Sequence, residues 1–357
     1  LKITYLPKKE WKELTNKDLG GKRDKTVCLV RYGGFGDLIQ ISSIFPLLKE
    51  QGFNVCVNVT EYGADIFKND PNVDELLIQE TDQVPNAELG DYWKRLKRVF
   101  PRVVNLSGII EQKLLLISND PLYRADKEKR HKITNKNYSE ALHNKAKVPH
   151  VFHTKFYPSN SEKKWVADQK RSMRIGLQHY LIVVALSGSS VHKAYPFMDH
   201  VIAHYLVTDP KVRFILVGDE TSKLLEAGWE KEPRVFCRSG DWSMRQSLAF
   251  AQTADMVIGP ETGVLNAVSS EDLAKVVMLS HSTEENLTKH WVNTTALSAD
   301  VDCYPCHKMH YGFATCNRDE ETGGAMCAVK IPPQKVVEAI DYHWKLKNEF
   351  SRTLSNG

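Results

Sequence analysis

Residues 26–59 read as a strand, a glycine turn, a helix and a second strand, and this one unit already restricts the chain to a parallel sheet. TVCLVR (26–31) is a short apolar, β-branched run, and Gly33-Gly34-Phe35-Gly36 is a tight turn. DLIQISSIFPLLKEQG then carries apolar residues at helical spacing as far as Gly52, and NVCVNV (54–59) is the next strand. Parallel neighbours require a crossover, normally a helix, so the unit predicts an α/β architecture. Further strands are expected at 75–79 and 102–106. Residues 107–175 are polar with weak periodicity, and 157–175 reads as a helix and linker.

A second α/β series begins near residue 180. Strands are expected at 181–186, 213–217, 234–236, 255–258 and 275–279, with helices at 197–207, 222–229 and 243–253 and from 263. A last helix is expected from 332, with Pro332 and Pro333 in its first turn and Val336, Val337, Ile340 and Trp344 on one face. At roughly 100–200 residues per domain, 357 residues suit two tandem doubly wound domains. The expected division is 1–172, 173–331 and a terminal helix over 332–357 that packs back on the N-terminal domain.

Composition removes several classes. Hydrophobic residues are 42% and charged residues 26%, which excludes a disordered, collagen-like or disulfide-scaffold chain. No window approaches the ~18–20 apolar residues of a membrane span. The opening LKITYLPKKEWKEL lacks the apolar stretch of a secretory signal, so a cytoplasmic chain is expected. A formal charge of +4 does not identify a nucleic-acid binder. Charge is nevertheless concentrated: Arg124, Lys127, Lys129, Arg130, Lys132, Lys136, Lys145 and Lys147 meet only Asp126, Glu128 and Glu140. That stretch is either a surface for an anionic partner or a solvated loop and helix face.

Three turns carry candidate chemistry. VRYGGFGDLIQ is neither GxGxxG nor a P-loop with its lysine, so dinucleotide and Walker readings fail. Gly34 and Gly36 let its backbone approach a ligand, and Asp37 stands at a helix start beyond a strand's carboxyl end, as a reactive carboxylate or as a helix cap. SGSSVHKAYP (187–196) follows the strand at 181–186, and its hydroxyls, amides and Lys193 suit an anion. ADMVIGPETGVLNA (254–267) ends a strand at Gly259 and opens a helix at Glu261-Thr262-Gly263, either a phosphate-binding turn or an ordinary capped βα turn.

In this order the three motifs resemble the ADP-heptose:lipopolysaccharide heptosyltransferases of glycosyltransferase family 9, over roughly residues 26–340 with 107–175 poorly matched. The resemblance implies the GT-B fold, two doubly wound Rossmann-like domains facing across a cleft that closes before transfer. The acceptor would lie on the N-terminal domain and the donor on the C-terminal one. The resemblance makes Asp37 the general base and places Ser189, Ser190 and Lys193 at the donor phosphates. Thr262 and Gly263 would bind phosphate through hydroxyl and backbone, and Glu220 the ribose. Two departures touch the donor sugar: Glu261 stands where the family usually has Asp, and Asn266 where it often has His. The implied activity is inverting and metal-independent, from an ADP-sugar to a hydroxyl of an anionic acceptor, a lipopolysaccharide core in first place. A modified DNA or a protein is the alternative acceptor. Such an enzyme would work in the cytoplasm, at the inner membrane face for a glycolipid. A non-catalytic sugar-nucleotide-binding module competes with this reading and is disfavoured by the joint presence of Asp37, Lys193 and Thr262; a two-domain epimerase lacks identifiable acid/base pairs.

Cys303-x2-Cys306-x9-Cys316-x10-Cys327 is a further cluster. Four thiolates at this spacing suit a tetrahedral structural site for zinc, or for iron, with His307 or His310 as substitute ligands; four reduced thiols or two disulfides are the alternatives. Cys28, Cys56 and Cys237 lie in apolar runs and read as core.

Overall fold

The computed structural model describes residues 1–310 and 316–355. The chain divides into two compact units: 1–114 with 136–159, and 115–135 with 160–357.

The first unit holds β1 (Lys2–Tyr5), β2 (Thr26–Val30), α1 (Phe35–Gln40), α2 (Ile44–Glu50), β3 (Asn54–Thr60), α3 (Glu61–Phe67), β4 (Glu75–Gln79), α4 (Leu89–Leu96) and β5 (Arg102–Asn105). Its five strands are all parallel, in the order β1-β4-β3-β2-β5. Every residue of β2 and β4 is buried, the pattern of strands covered on both faces. Helices α1 and α2 occupy the stretch expected as one helix. They are separated by a 3-10 turn, Ile41–Ser43. The cause is local: Ser42 and Ser43 donate to the carbonyls of Ile39 (2.7 Å) and Gln40 (3.0 Å), and Pro46 has no N–H for the next ladder bond.

The second unit begins with α5 (Lys127–Thr134); the chain then returns to the first unit for α6 (Tyr138–Ala146). After 160 follow α7 (Asn160–Ser172), β6 (Tyr180–Ala185), α8 (Met198–Thr208), β7 (Val212–Val217), β8 (Val235–Cys237), α9 (Met244–Ala251), β9 (Met256–Pro260) and α10 (Gly263–Ala267). Then come β10 (Ala274–Met278), β11 (Thr294–Leu297), α11 (Met326–Val329) and α12 (Pro333–Ser355). The six parallel strands run β11-β10-β9-β6-β7-β8. The helix expected over 222–229 is a 3-10 turn, Thr221–Glu226. Helix α12, expected against the N-terminal domain, buries Val336, Val337 and Ile340 in the core of the second sheet and stacks Trp344 on Tyr180 with ring centroids 4.5 Å apart.

The two strands that the sequence did not announce are β1 and β11. Both are edge strands without a buried face, so neither displays an apolar run or a clean alternation.

Candidate active site

Each sheet has one central strand from which the chain winds out to both sides. In the first, β3 and β4 are laid down on one side of β2 and β5 on the other; in the second, β7 and β8 lie on one side of β6 and β9 and β10 on the other. Open α/β sheets bind their ligands beyond the strand carboxyl ends at such a reversal.

In the first unit the segment after β2 meets the segment after β5. Tyr32 N–H donates to Ser107 Oγ (2.9 Å). Arg31, wholly buried at the end of β2, points between two carboxylates. Its Nη2 lies 2.7 Å from Glu111 Oε1 and 3.2 Å from Asp37 Oδ1. Its Nη1 donates to Glu111 Oε2 (3.0 Å) and to the Leu106 carbonyl (3.2 Å). Burial opposes the guanidinium charge, but Asp37 and Glu111 outweigh it and raise the Arg31 pKa, so Arg31 stays charged. Asp37 lies in the first turn of α1 with its side chain 30% exposed. Gly34 is the cap of that helix and makes no side-chain bond, so Asp37 is not the capping residue. Gly33 has φ +112, and a Cβ there would stand 3.3 Å from Glu111 Oε1 and 3.5 Å from Asp37 Oδ2. The glycine serves both the turn and the approach of the two acids. Gly36 follows inside α1.

In the second unit the loop after β6 meets the turn after β9. A Cβ on Gly188 would fall 2.7 Å from Lys193 Cδ and 3.3 Å from the Glu261 carbonyl oxygen. Lys193 Nζ donates to that carbonyl (3.1 Å). Ser189 is exposed, whereas Ser190 is buried and donates to the His310 carbonyl (2.8 Å), with His192 Nδ1 2.7 Å from Ser190 Oγ. Glu261 is buried and turned inward: it accepts from Ser280 N–H (2.7 Å) and from His281 Nδ1 (2.9 Å). Burial alone would raise its carboxyl, but His281, Lys193 and the Ser280 N–H overcome that and hold it near a pKa of about 2. Thr262 caps α10 by accepting from Leu265 N–H, and Asn266 Nδ2 donates to the Thr262 carbonyl (3.0 Å). Gly263 opens α10. Both positions that depart from the family pattern, Glu261 and Asn266, thus brace the β9–α10 turn. Glu220, exposed after β7, pairs with Lys223 (3.0 Å).

Two residues that matter here, Glu111 and His281, were not singled out by the sequence. Each follows a strand beside a reversal, so strand order was the missing signal. The basic stretch is shared between the units, with Arg124 to Lys132 in the second and Lys136 to Lys147 in the first. Part of it is structural: Arg130 is buried and donates to the Cys306 carbonyl (3.0 Å), and Lys127 donates to the Asp302 carbonyl (2.7 Å). Lys145 and Lys147 instead join Lys94, Lys97 and Arg102 around a cavity of about 610 Å3 beside β5, with no carboxylate in its lining.

Cys303, Cys306, Cys316 and Cys327 line one cavity of about 100 Å3 together with His192, His281 and His310. All four thiols are free. Burial pushes Cys306 up to about 11 and Cys327 up to about 12. Among the described residues no group of three or more His, Cys, Asp or Glu is arranged to hold a metal ion. Among the described residues no helix is long and apolar enough to cross a membrane.

No sequence-family model and no curated protein matches the chain. Solved structures do. A family 9 glycosyltransferase from Veillonella parvula is 13% identical with a TM-score of 0.65, over 89% of this chain and 97% of that one. ADP-heptose lipopolysaccharide heptosyltransferase II of E. coli is 12% identical with a TM-score of 0.62, over 90% and 99%. TibC of enterotoxigenic E. coli, a dodecameric iron-containing heptosyltransferase solved with ADP-D-β-D-heptose, is 12% identical with a TM-score of 0.60, over 92% and 79%. The fold expected from the motifs is therefore present: the chain has the two-sheet α/β fold of the family 9 and heptosyltransferase structures.

Proposed function

We propose that this chain is an inverting glycosyltransferase that moves a sugar, a heptose in first place, from an ADP-linked donor to a hydroxyl of an anionic acceptor such as a lipopolysaccharide core. One observation carries the reading. In each sheet the residues picked out by the motifs gather at the reversal of winding: a carboxylate in the first unit, a lysine with small-residue loops in the second. Asp37 takes the proton of the acceptor hydroxyl as its oxygen bonds to the anomeric carbon. The bond from that carbon to the diphosphate breaks through an oxocarbenium-like state, and the electron pair leaves with the diphosphate. Lys193 and exposed Ser189, with Thr262 and Gly263, hold the departing charge. Glu220, exposed after β7, would hold a ribose hydroxyl of the donor. The basic cavity beside β5 supports an anionic acceptor bound to the first unit.

A panel of ADP-, UDP-, GDP- and CDP-sugars tests the donor. ADP-sugars are expected to bind at least about tenfold tighter than the others, ~1.4 kcal/mol. Binding of UDP-sugars alone would contradict the reading.

Cys303, Cys306, Cys316 and Cys327 are proposed to hold one structural ion, zinc or iron. The four line one cavity and their all-sulfur chemistry suits either metal, although as placed their sulfurs do not converge on one point; the iron-containing TibC supports iron. Such an ion would clip the loop-rich stretch around residues 303–327 and take no part in transfer. Elemental analysis of freshly purified, unchelated protein is expected to find about one ion per chain; metal-free protein of full stability would overturn this part.

A further inference from the structure

Arg31 presents a question that a single base does not answer. One buried guanidinium needs one counter-charge, and it has two. The pairing is unequal. Glu111 takes the two-pronged contact, through Nη1 and Nη2 at 3.0 and 2.7 Å, while Asp37 keeps one longer contact at 3.2 Å. The Leu106 carbonyl also accepts from Nη1 (3.2 Å) and the Asp37 main-chain carbonyl from Nε (3.4 Å), while Nη2 meets the two carboxylates as ion-pair contacts without a hydrogen bond. The guanidinium is thus immobilised chiefly by Glu111.

We infer that Glu111 is a positioning residue for Asp37, the permanent counter-ion that lets Asp37 accept a proton without stranding a buried arginine. The inference rests on the proposed transfer reaction only for its kinetic consequence. With Glu111 present, the Arg31–Asp37–Glu111 group carries one excess negative charge, and protonating Asp37 leaves a neutral Arg31–Glu111 pair. Without it, Asp37 would be the sole partner of a buried cation, and every proton it took would leave that cation unpaired. A base so held would stay ionised and take protons poorly. Ionisable groups near α1 include Glu61, Tyr62 and Asp65 of α3, packed against it, and Lys155, whose main-chain N–H donates to Ser42 Oγ (2.9 Å) in the turn that follows α1; Tyr62 meets Phe35 of α1 with ring centroids 6.5 Å apart. None of these replaces Glu111, because Arg31 reaches its two carboxylates from the end of β2 and the segment after β5.

The test is a titration. Carboxyl-labelled aspartate is followed by carbon NMR in the wild type and in Glu111→Gln, with Asp37→Asn assigning the signal. Removing the Glu111 charge is expected to lower the Asp37 midpoint by about one pH unit or more. The acid limb of the transfer rate should move to lower pH by the same amount. Plateau turnover should fall about 3- to 10-fold, with donor KM unchanged. Glu111→Asp should restore most of both. An unmoved midpoint in a folded Glu111→Gln protein overturns the inference. Should that variant not fold, the double variant Arg31→Met with Glu111→Gln removes the pair as a neutral unit, and the Asp37 midpoint should stay within about half a pH unit of the wild type; a rise of about one unit or more would show that Arg31 serves chiefly Asp37 and overturns the inference. If the wild type transfers no sugar from any donor, the proposed reaction fails, while the titration still decides the role of Glu111.

Discussion

Asp37→Asn is expected to slow glycosyl transfer by about 10²- to 10⁴-fold, the range for loss of a general base, while donor affinity changes by no more than about threefold. The amide keeps the size of the carboxylate and lacks the charge that accepts a proton. The variant should also fold, and the reason is Glu111. Arg31 stays paired through the contacts at 2.7 and 3.0 Å when Asp37 is neutralised, so no buried charge is stranded. Isothermal titration with the donor, thermal melting and a turnover assay together check the result. Loss of donor binding with no turnover in the parent protein would instead make the chain a sugar-nucleotide-binding module.

Lys193→Ala is expected to cost about 10²- to 10³-fold in turnover, because the charge it offsets on the leaving diphosphate is greatest as the bond breaks. Unlike the change at Asp37, it should also weaken donor binding by roughly tenfold, since the ground-state diphosphate is already charged. The remaining affinity should depend less on salt. The turn beneath it should survive, because Glu261 keeps its bonds from Ser280 N–H and His281 when the lysine is gone. Turnover and donor Kd measured at two ionic strengths separate the two effects. A variant with full turnover and full affinity would remove Lys193 from the proposed mechanism.

The two readings of the Asp37 turn show where sequence reasoning stopped. Strand, glycines, carboxylate and helix were legible in VRYGGFGDLIQ because each is a local preference written into consecutive residues. The choice between helix cap and reactive acid was not, since it turned on which residue takes the capping position, and that residue is Gly34. The break between α1 and α2 was legible in principle from Ser42, Ser43 and Pro46. The apolar spacing across it masked the break.

Buried parallel strands declare themselves because burial on both faces demands unbroken apolar runs, as in TVCLV and YLIVVA. Edge strands such as KITY and TTAL carry no such demand and passed unseen. The same limit hid Glu111. Nothing in SGIIEQK marks that glutamate; it gains its part only because β5 lies beside β2, pairing Val27 with Arg102 and Val30 with Asn105 across a long stretch of intervening chain. Glu261 and Asn266 show the converse. Their identities were read as departures that touch a sugar; tertiary contacts with Ser280 and His281 also bind Glu261 into the protein, and Asn266 also donates to the Thr262 carbonyl four residues back.

The sequence by itself determined the two α/β series, their strands with buried faces and the turns that bear Asp37, Lys193 and Thr262, because periodicity and turn chemistry are properties of neighbours along the chain. Only the tertiary structure decided strand order, and with it which side chains share a charge: Arg31 with Asp37 and Glu111, Glu261 with His281, four cysteines around one cavity. Hydrogen bonds and ion pairs act across ångströms of space, and a sheet brings together residues that the chain keeps far apart.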